Sequence, residues 1–347
     1  MSSRIFLSLC GIFASLIAGA AAQDGSGIAA GGASAFSGPI RISGGDWRWE
    51  FEGGKAKGVG RGTITITWGE LTANAESVTL SKPPVVVELT GGVKARWRDS
   101  EFLCAELRAD EDANAVMARD VVAEFVEPAL SVAADEASLA GAFSNKTERR
   151  VAAFRGNVEM NAAEFGSVAT GEAKYYPDEG LAEIPEAFSG AIPMFFVKDP
   201  ENPFYGETAS VSGDSISAVM GPGGEILDAA CERISIESPS GSLYAPTLAL
   251  STDKGLFEIV ARASPSEKIS GHFIAPDGRK ADFSCSRFSA RERSRQVSLS
   301  GRVEVTGEGI TLLSEFVLLA AEGDGFRILS TGGNKLSLED LFIGQGA

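Results

Sequence analysis

Residues able to make or break bonds are few and far apart in this 347-residue chain, which contains a single histidine, His272. One imidazole rules out every mechanism that needs two, and most zinc sites with them. A Ser-His-Asp relay would have to use His272, yet no Gly-x-Ser-x-Gly elbow occurs, and His272 falls in the polar phase of its own run. Cys104, Cys231 and Cys285 are too sparse, and odd in number, for a disulfide framework; one bridge has room to form, but buried free thiols are the reading that composition favours. Gly221-Pro-Gly223-Gly224 has neither the Lys nor the helix of a phosphate loop and reads as a turn. Carboxylates are abundant, with 47 Asp plus Glu against 31 Lys plus Arg, but no pair stands out as an acid and its base. No cofactor and no metal is expected.

Charge excludes a further class. The formal charge is −16, and −17 once Arg4 is removed, so a phosphate polymer would be repelled and no nucleic-acid partner is expected. Met1-Ser-Ser-Arg4 is followed by an almost wholly apolar Ile5 to Ala18 and by Gly19-Ala20-Ala21-Ala22, the layout of a cleavable secretory signal ending near Ala22. The apolar core is shorter than the roughly 20 residues of a membrane span. An exported mature chain in the periplasm is expected, opening with a flexible Gly/Ala/Ser lead over residues 23–40.

The side chains left to carry a function are apolar, and the elements that position them read as strands. Gly62-Thr-Ile64-Thr-Ile66-Thr-Trp68 alternates with period two, and such runs recur between Gly, Asp and Asn. Residues 110–125 are the one stretch with fair helical periodicity. Two motifs repeat roughly every 30 to 40 residues. The first, apolar-x-Gly-x-apolar, occurs at Leu89 to Val93, Phe154 to Val158, Ile269 to Phe273 and Leu299 to Val303. The second, apolar-x-small-x-x-apolar, occurs at Phe102, Cys104 and Leu107; Val168, Thr170 and Ala173; Phe283, Cys285 and Phe288; and Leu312, Ser314 and Val317. Weaker copies lie at Val211, Gly213 and Ile216, at Leu243, Ala245 and Leu248, and at Leu71 and Ala73 after Gly62. A strand keeps i and i+2 on one face but not i+5, so the second motif demands a bulge or bend after its small residue. A sheet creased at the same place in each repeat becomes a V-shaped trough, its inner face lined by Leu89, Val93, Phe102, Leu107, Phe154, Val158, Met160, Phe273, Phe283, Phe288, Val303 and Val317. Periodicity alone is equally met by a dry core.

Phe154 to Asp178, with its Gly156-Asn-Val-Glu-Met160 strand, Ala169 to Ala173 bend and Tyr175-Tyr176 strand, resembles the OstA-like (LptA) family of periplasmic lipopolysaccharide-transport proteins. Leu299 to Phe326 and Leu89 to Asp112 look like further copies, and with the weaker units the resemblance covers about residues 45–335. It implies an all-β, elongated, folded-over β-jellyroll, possibly two consecutive modules, whose trough holds acyl chains and whose edge strands pair with other Lpt-type jellyrolls or end to end with further copies. Lipopolysaccharide or a similar acylated lipid would be the cargo, carried without catalysis toward the outer membrane. The twelve trough residues would then touch lipid.

Two stretches break the repeat. Residues 179–205 hold Pro185, Pro193, Pro200 and Pro203 among Phe188, Phe195, Phe196, Phe204 and Tyr205, and are expected as a linker or loop between modules at 41–178 and 206–335, with a tail at 336–347. A basic stretch in this acidic chain includes Arg287, Arg291, Arg293 and Arg295, candidate contacts for lipid head groups or an acidic partner surface. The competing readings are a structural or adhesive β-solenoid with a dry core and, further off, a parallel β-helix enzyme acting on polysaccharide.

Overall fold

The computed structural model describes residues 40–338 apart from 69–70, 98–99, 126–129, 143–149, 163–165, 177–178, 180, 194–207, 221–225, 240, 254–255, 275–277, 292–295, 323–324 and 333–334. The expected signal and nearly all of the lead lie outside the described residues. The described strands are β1 (Arg41–Glu52), β2 (Lys55–Trp68), β3 (Leu71–Lys82), β4 (Val86–Trp97), β5 (Ser100–Asp110), β6 (Ala115–Phe125), β7 (Leu130–Ala140), β8 (Val151–Ala162) and β9 (Gly166–Tyr176). They continue as β10 (Leu181–Ile184), β11 (Phe188–Pro193), β12 (Thr208–Gly213), β13 (Ser215–Met220), β14 (Ile226–Ser238), β15 (Gly241–Asp253), β16 (Leu256–Arg262) and β17 (Ile269–Ile274). The last are β18 (Lys280–Cys285), β19 (Arg287–Arg291), β20 (Gln296–Gly307), β21 (Ile310–Glu322), β22 (Gly325–Thr331) and β23 (Lys335–Leu338).

Every pairing among the described strands is antiparallel, and β1 to β9 pair each with the next. Beyond them β10/β11, β12/β13, β16/β17 and β18/β19 are half-strands that pair with the strands before and after them and not with each other, and β22/β23 are half-strands that both pair with β21. The chain is therefore all-β and forms one long meander folded over on itself. Antiparallel pairing throughout the described strands rules out the parallel β-helix reading. The helical expectation for 110–125 is also corrected, because Ala115–Phe125 is β6. Val121, Val122 and Phe125 mimic a helical stripe in sequence only because Val122 is an apolar residue on the exposed face.

The crease runs through the middle of every long strand, and burial shows two ways of making it. Where glycine bends the chain, successive inward residues are four apart, as in Leu89 to Val93, Phe154 to Val158 and Leu299 to Val303. There Gly91, Gly156 and Gly301 have left-handed φ of 84°, 70° and 74°, and the ladder register slips beside each of them. Where a small residue bends the chain, inward residues are three apart, as in Cys104 to Leu107, Thr170 to Ala173, Cys285 to Phe288 and Ser314 to Val317. Glycine-type and small-type strands sit side by side, with Val93 opposite Cys104, Val158 opposite Thr170 and Val303 opposite Ser314.

Two copies of the motifs are misplaced in the sequence reading. Gly271 is not at the crease, where residues 263–268 separate β16 and β17; it is small because a Cβ would collide with the Ser242 carbonyl oxygen and come within 2.8 Å of the Phe283 ring. In β3 the small crease residue is Ala75, opposite Ile64, two positions beyond the expected Ala73.

The stretch expected as a linker contains β10 and β11, with Pro185 between them and Pro193 at the end of β11. β10 and β11 pair with β9 on one side and with β13 and β12 on the other, so the sheet runs on through 181–193. β23 takes in the first residues of the expected tail and pairs with β21.

Candidate lipid-binding trough

The two arms of the folded sheet bury their inner faces against each other in a single apolar cluster. Leu89, Val93, Leu107, Val158, Met160, Phe283, Phe288, Val303 and Val317 are buried in it, and Phe102, Phe154 and Phe273 are half-buried against it. All twelve residues expected on the inner face therefore lie there together. Packing is closed, with Val158 and Val317 at 0% exposure, and burying each Val, Leu or Phe contributes about 1.5–3 kcal/mol. Phe273 stacks on Phe283 at 4.7 Å between ring centroids, and Phe283 on Phe288 at 6.3 Å, filling the core around β17 to β19.

The inner face is exposed at one end. Among the described strands β1 is an edge that pairs with β2 alone, and its Trp47, Trp49 and Phe51 lie in register with Gly60, Gly58 and Ala56. Gly58 and Gly60 are small because the indoles of Trp49 and Trp47 lie over them, where a Cβ would come within 2.7 Å. The three rings stack at 5.6 and 6.4 Å, and Trp47 Nε1 donates to the Gly44 carbonyl at 3.0 Å. With Phe51 at 77% and Trp49 at 44% exposure, this aromatic ladder is the uncovered continuation of the inner face. Sequence reasoning missed it, although Trp-x-Trp-x-Phe alternating opposite Gly-x-Gly was the available signal.

The crease positions carry polar chemistry that the word "small" conceals. Ser314 Oγ lies 2.9 and 3.1 Å from the carbonyl oxygens of Phe316 and Thr331, which share its one proton, and Thr170 Oγ1 lies 3.3 Å from the Ala187 carbonyl. These hydroxyls bond to main-chain carbonyls where the strand bends. Cys104 and Cys285 take the same position as thiols, and with Cys231 all three are free and buried. Burial pushes Cys104 up to about 11 and Cys285 up to about 12, which keeps both as unreactive thiols at neutral pH.

On the outer face, a groove of about 420 Å³ is lined by Glu88, Arg108, Met117, Arg119, Glu136 and Arg155, among others. Its arginines are paired: Arg108 with Glu88 and, at 2.7 Å, Asp110; Arg119 with Glu106 at 3.5 Å; Arg155 with Glu172 at 2.6 Å. The hydrogen bond from Arg108 holds the Asp110 carboxyl below its ordinary range. Burial works against the Glu172 carboxylate, but Lys174 and Arg155 together still hold it low. Of the expected head-group arginines, Arg287 is exposed on β19 and Arg291 ends that strand, whereas Arg293 and Arg295 lie outside the described residues.

His272 stands in a row with Ser242 and Asp282 across three strands, the one serine–histidine–aspartate juxtaposition this chain can form with its single imidazole. Ser242 Oγ occupies Nδ1 at 2.7 Å, while Asp282 pairs with Lys280 at 3.1 Å. A nucleophilic serine needs its imidazole oriented by the carboxylate on the opposite nitrogen, so this hydrogen bond ties β15 to β17 and does not activate Ser242. Among the described residues, no group of three or more His, Cys, Asp or Glu is placed to hold a metal.

No family model matches the chain, and no curated protein matches it. Among solved structures it is similar to LptH of Pseudomonas aeruginosa, described as the LptA homologous periplasmic component of the conserved lipopolysaccharide transport device. The identity is 15%, covering 35% of this chain and 94% of that one, with a TM-score of 0.26. A likeness of that extent carries no argument about what this chain does, which has to come from its own residues.

Proposed function

We propose that this chain is an exported, non-catalytic carrier that holds the acyl chains of a lipid such as lipopolysaccharide between the two arms of its creased sheet. The observation that carries the reading is the uninterrupted apolar inner face, which ends at β1 in an exposed aromatic ladder. An acyl chain entering beside Trp49 and Phe51 would exchange water for apolar contact at about 0.8 kcal/mol per CH₂. The same edge, where no described strand lies beside β1 on its outer side, is where a neighbouring jellyroll or a second copy would add a strand. In this reading the protein sits in the periplasm and works in outer-membrane biogenesis.

The closed packing at Val158, Phe288 and Val317 favours a second reading, a solenoid whose interior is permanently dry. Mass spectrometry of the protein purified with and without added lipopolysaccharide separates the two. Bound acylated lipid that is lost in a folded Trp49→Ser/Phe51→Ser variant supports the carrier. No lipid under any loading condition leaves the dry solenoid.

A further inference from the structure

Several arginines in this acidic protein have an acid beside them. Arg108, Arg119, Arg155 and Arg233 each pair with a carboxylate, Arg233 with Asp214 at 2.6 Å. Five exposed arginines have no ion pair among the described residues although acids outnumber bases 47 to 31: Arg41 and Arg61 on the first strands, and Arg262, Arg287 and Arg302, which gather around the crease of the last strands. Arg262 and Arg287 are direct cross-strand partners on β16 and β19, and like charges so placed repel. Arg302 follows Gly301 at the crease with φ of 51°, a left-handed conformation that disfavours a long side chain. At the equivalent step the other glycine-type strands have Gly92 and Asn157, residues that tolerate it. Arg233 is also left-handed and pairs with Asp214, whereas Arg302 has no ion pair among the described residues. The neighbouring acid by register is Glu315, on the opposing crease of β21.

Cross-strand repulsion and an unfavourable backbone conformation, both without internal compensation, are explained together by an external anion. Ser300 lies opposite Arg287 in register, and the Ser286 hydroxyl lies beside Gly301, so both serines sit on the strands that carry Arg287 and Arg302. Guanidinium forks match phosphate oxygens in pairs, and two or three forks on one surface suit a group with adjacent phosphates. We propose that Arg262, Arg287 and Arg302 form a phosphate-binding site on the outer face of the crease. The site goes beyond the carrier reading and does not depend on it, since it lies on the opposite side of the sheet from the apolar cluster. Its phosphate would come either from a soluble phosphorylated compound or from a lipid head group at a membrane surface.

Titration calorimetry of the full-length mature chain with inorganic pyrophosphate, at low and high salt, tests the soluble source. Flotation with phosphatidylglycerol vesicles, against phosphatidylcholine vesicles, tests the membrane source. Binding in either arm should weaken at least tenfold in Arg262→Gln/Arg287→Gln and in Arg302→Gly, and should persist in Arg119→Gln and Arg233→Gln. Arg302→Gly should melt no lower than the wild type, because glycine relieves the left-handed residue, so its loss of binding would not reflect unfolding. Pyrophosphate binding alone assigns the site to soluble phosphates, and vesicle binding alone assigns it to head groups. Absence of binding in both arms, or equal loss in the Arg119 and Arg233 controls, would overturn the site. Lipid loading of the apolar cluster is read separately by mass spectrometry, so either proposal can fail without the other.

Discussion

Ser314 and Thr170 show how a residue picked out for its size works through its oxygen. Removing the hydroxyl takes the side-chain donor from these crease carbonyls, so Ser314→Ala and Thr170→Val should each lower stability by about 0.5–1.5 kcal/mol in urea denaturation. An unchanged midpoint would mean that water serves those carbonyls. The thiols at the equivalent positions give a pH dependence. Unfolded thiols ionise near 9, while the folded ones are raised to about 11 and 12, so their contribution is intact below pH 9 and is lost as pH rises toward the folded values. The urea midpoint should therefore fall between pH 9 and 11, and fall less in Cys104→Ala/Cys285→Ala. Equal slopes would show that other groups dominate. In the native state at pH 8, both thiols should resist a thiol reagent that reacts promptly once urea is added.

At the level of the strand, the number of residues between inward positions decides which side of each half-strand faces the core. Glycine-type creases use a spacing of four and small-type creases a spacing of three. Deleting Gly92 shortens the spacing in β4 to three where the first inward residue is the bulky Leu89 and not a small one, so the strand cannot crease and Val93 and Ala95 turn toward solvent. A loss above about 3 kcal/mol is expected from urea denaturation, or no folded protein at all. Gly92→Ala keeps the spacing, and no atom lies within 4 Å of the added Cβ, so it should lose only about 1–2 kcal/mol through its left-handed φ. If both variants were equally stable, the spacing rule would be wrong.

For the whole molecule, a meander in which each strand touches its two neighbours behaves like a linear array, whose cooperativity breaks at its weakest interface. β9 meets β10 over three residue pairs and β11 over four, whereas β8 and β9 meet over nine. The division into 41–178 and 206–335 is thus proposed as an energetic one, across a sheet that is structurally continuous. Urea unfolding followed by hydrogen exchange should show two steps that separate further in Phe188→Ser, since Phe188 is buried at that seam. A single coincident transition would make the chain one cooperative unit.

Much of this architecture is written locally. Period-two runs and small residues followed by a three-residue step are properties of single strands, so the all-β class, the crease and the inner-face residues were legible from Leu89, Cys104, Val158 and their equivalents. Pairing is a relation between strands, and only the tertiary structure decided it. Gly271 and Gly301 carry the same local motif, yet one makes room for the Phe283 ring and the other bends the chain. Trp49 and Phe51 look like core residues until β1 is found to have a neighbour on one side only. Arg262 and Arg287 are 25 residues apart in the chain, and their repulsion exists only because β16 lies against β19. Local sequence determines which face of a strand is apolar; what that face meets depends on which strand comes to lie beside it.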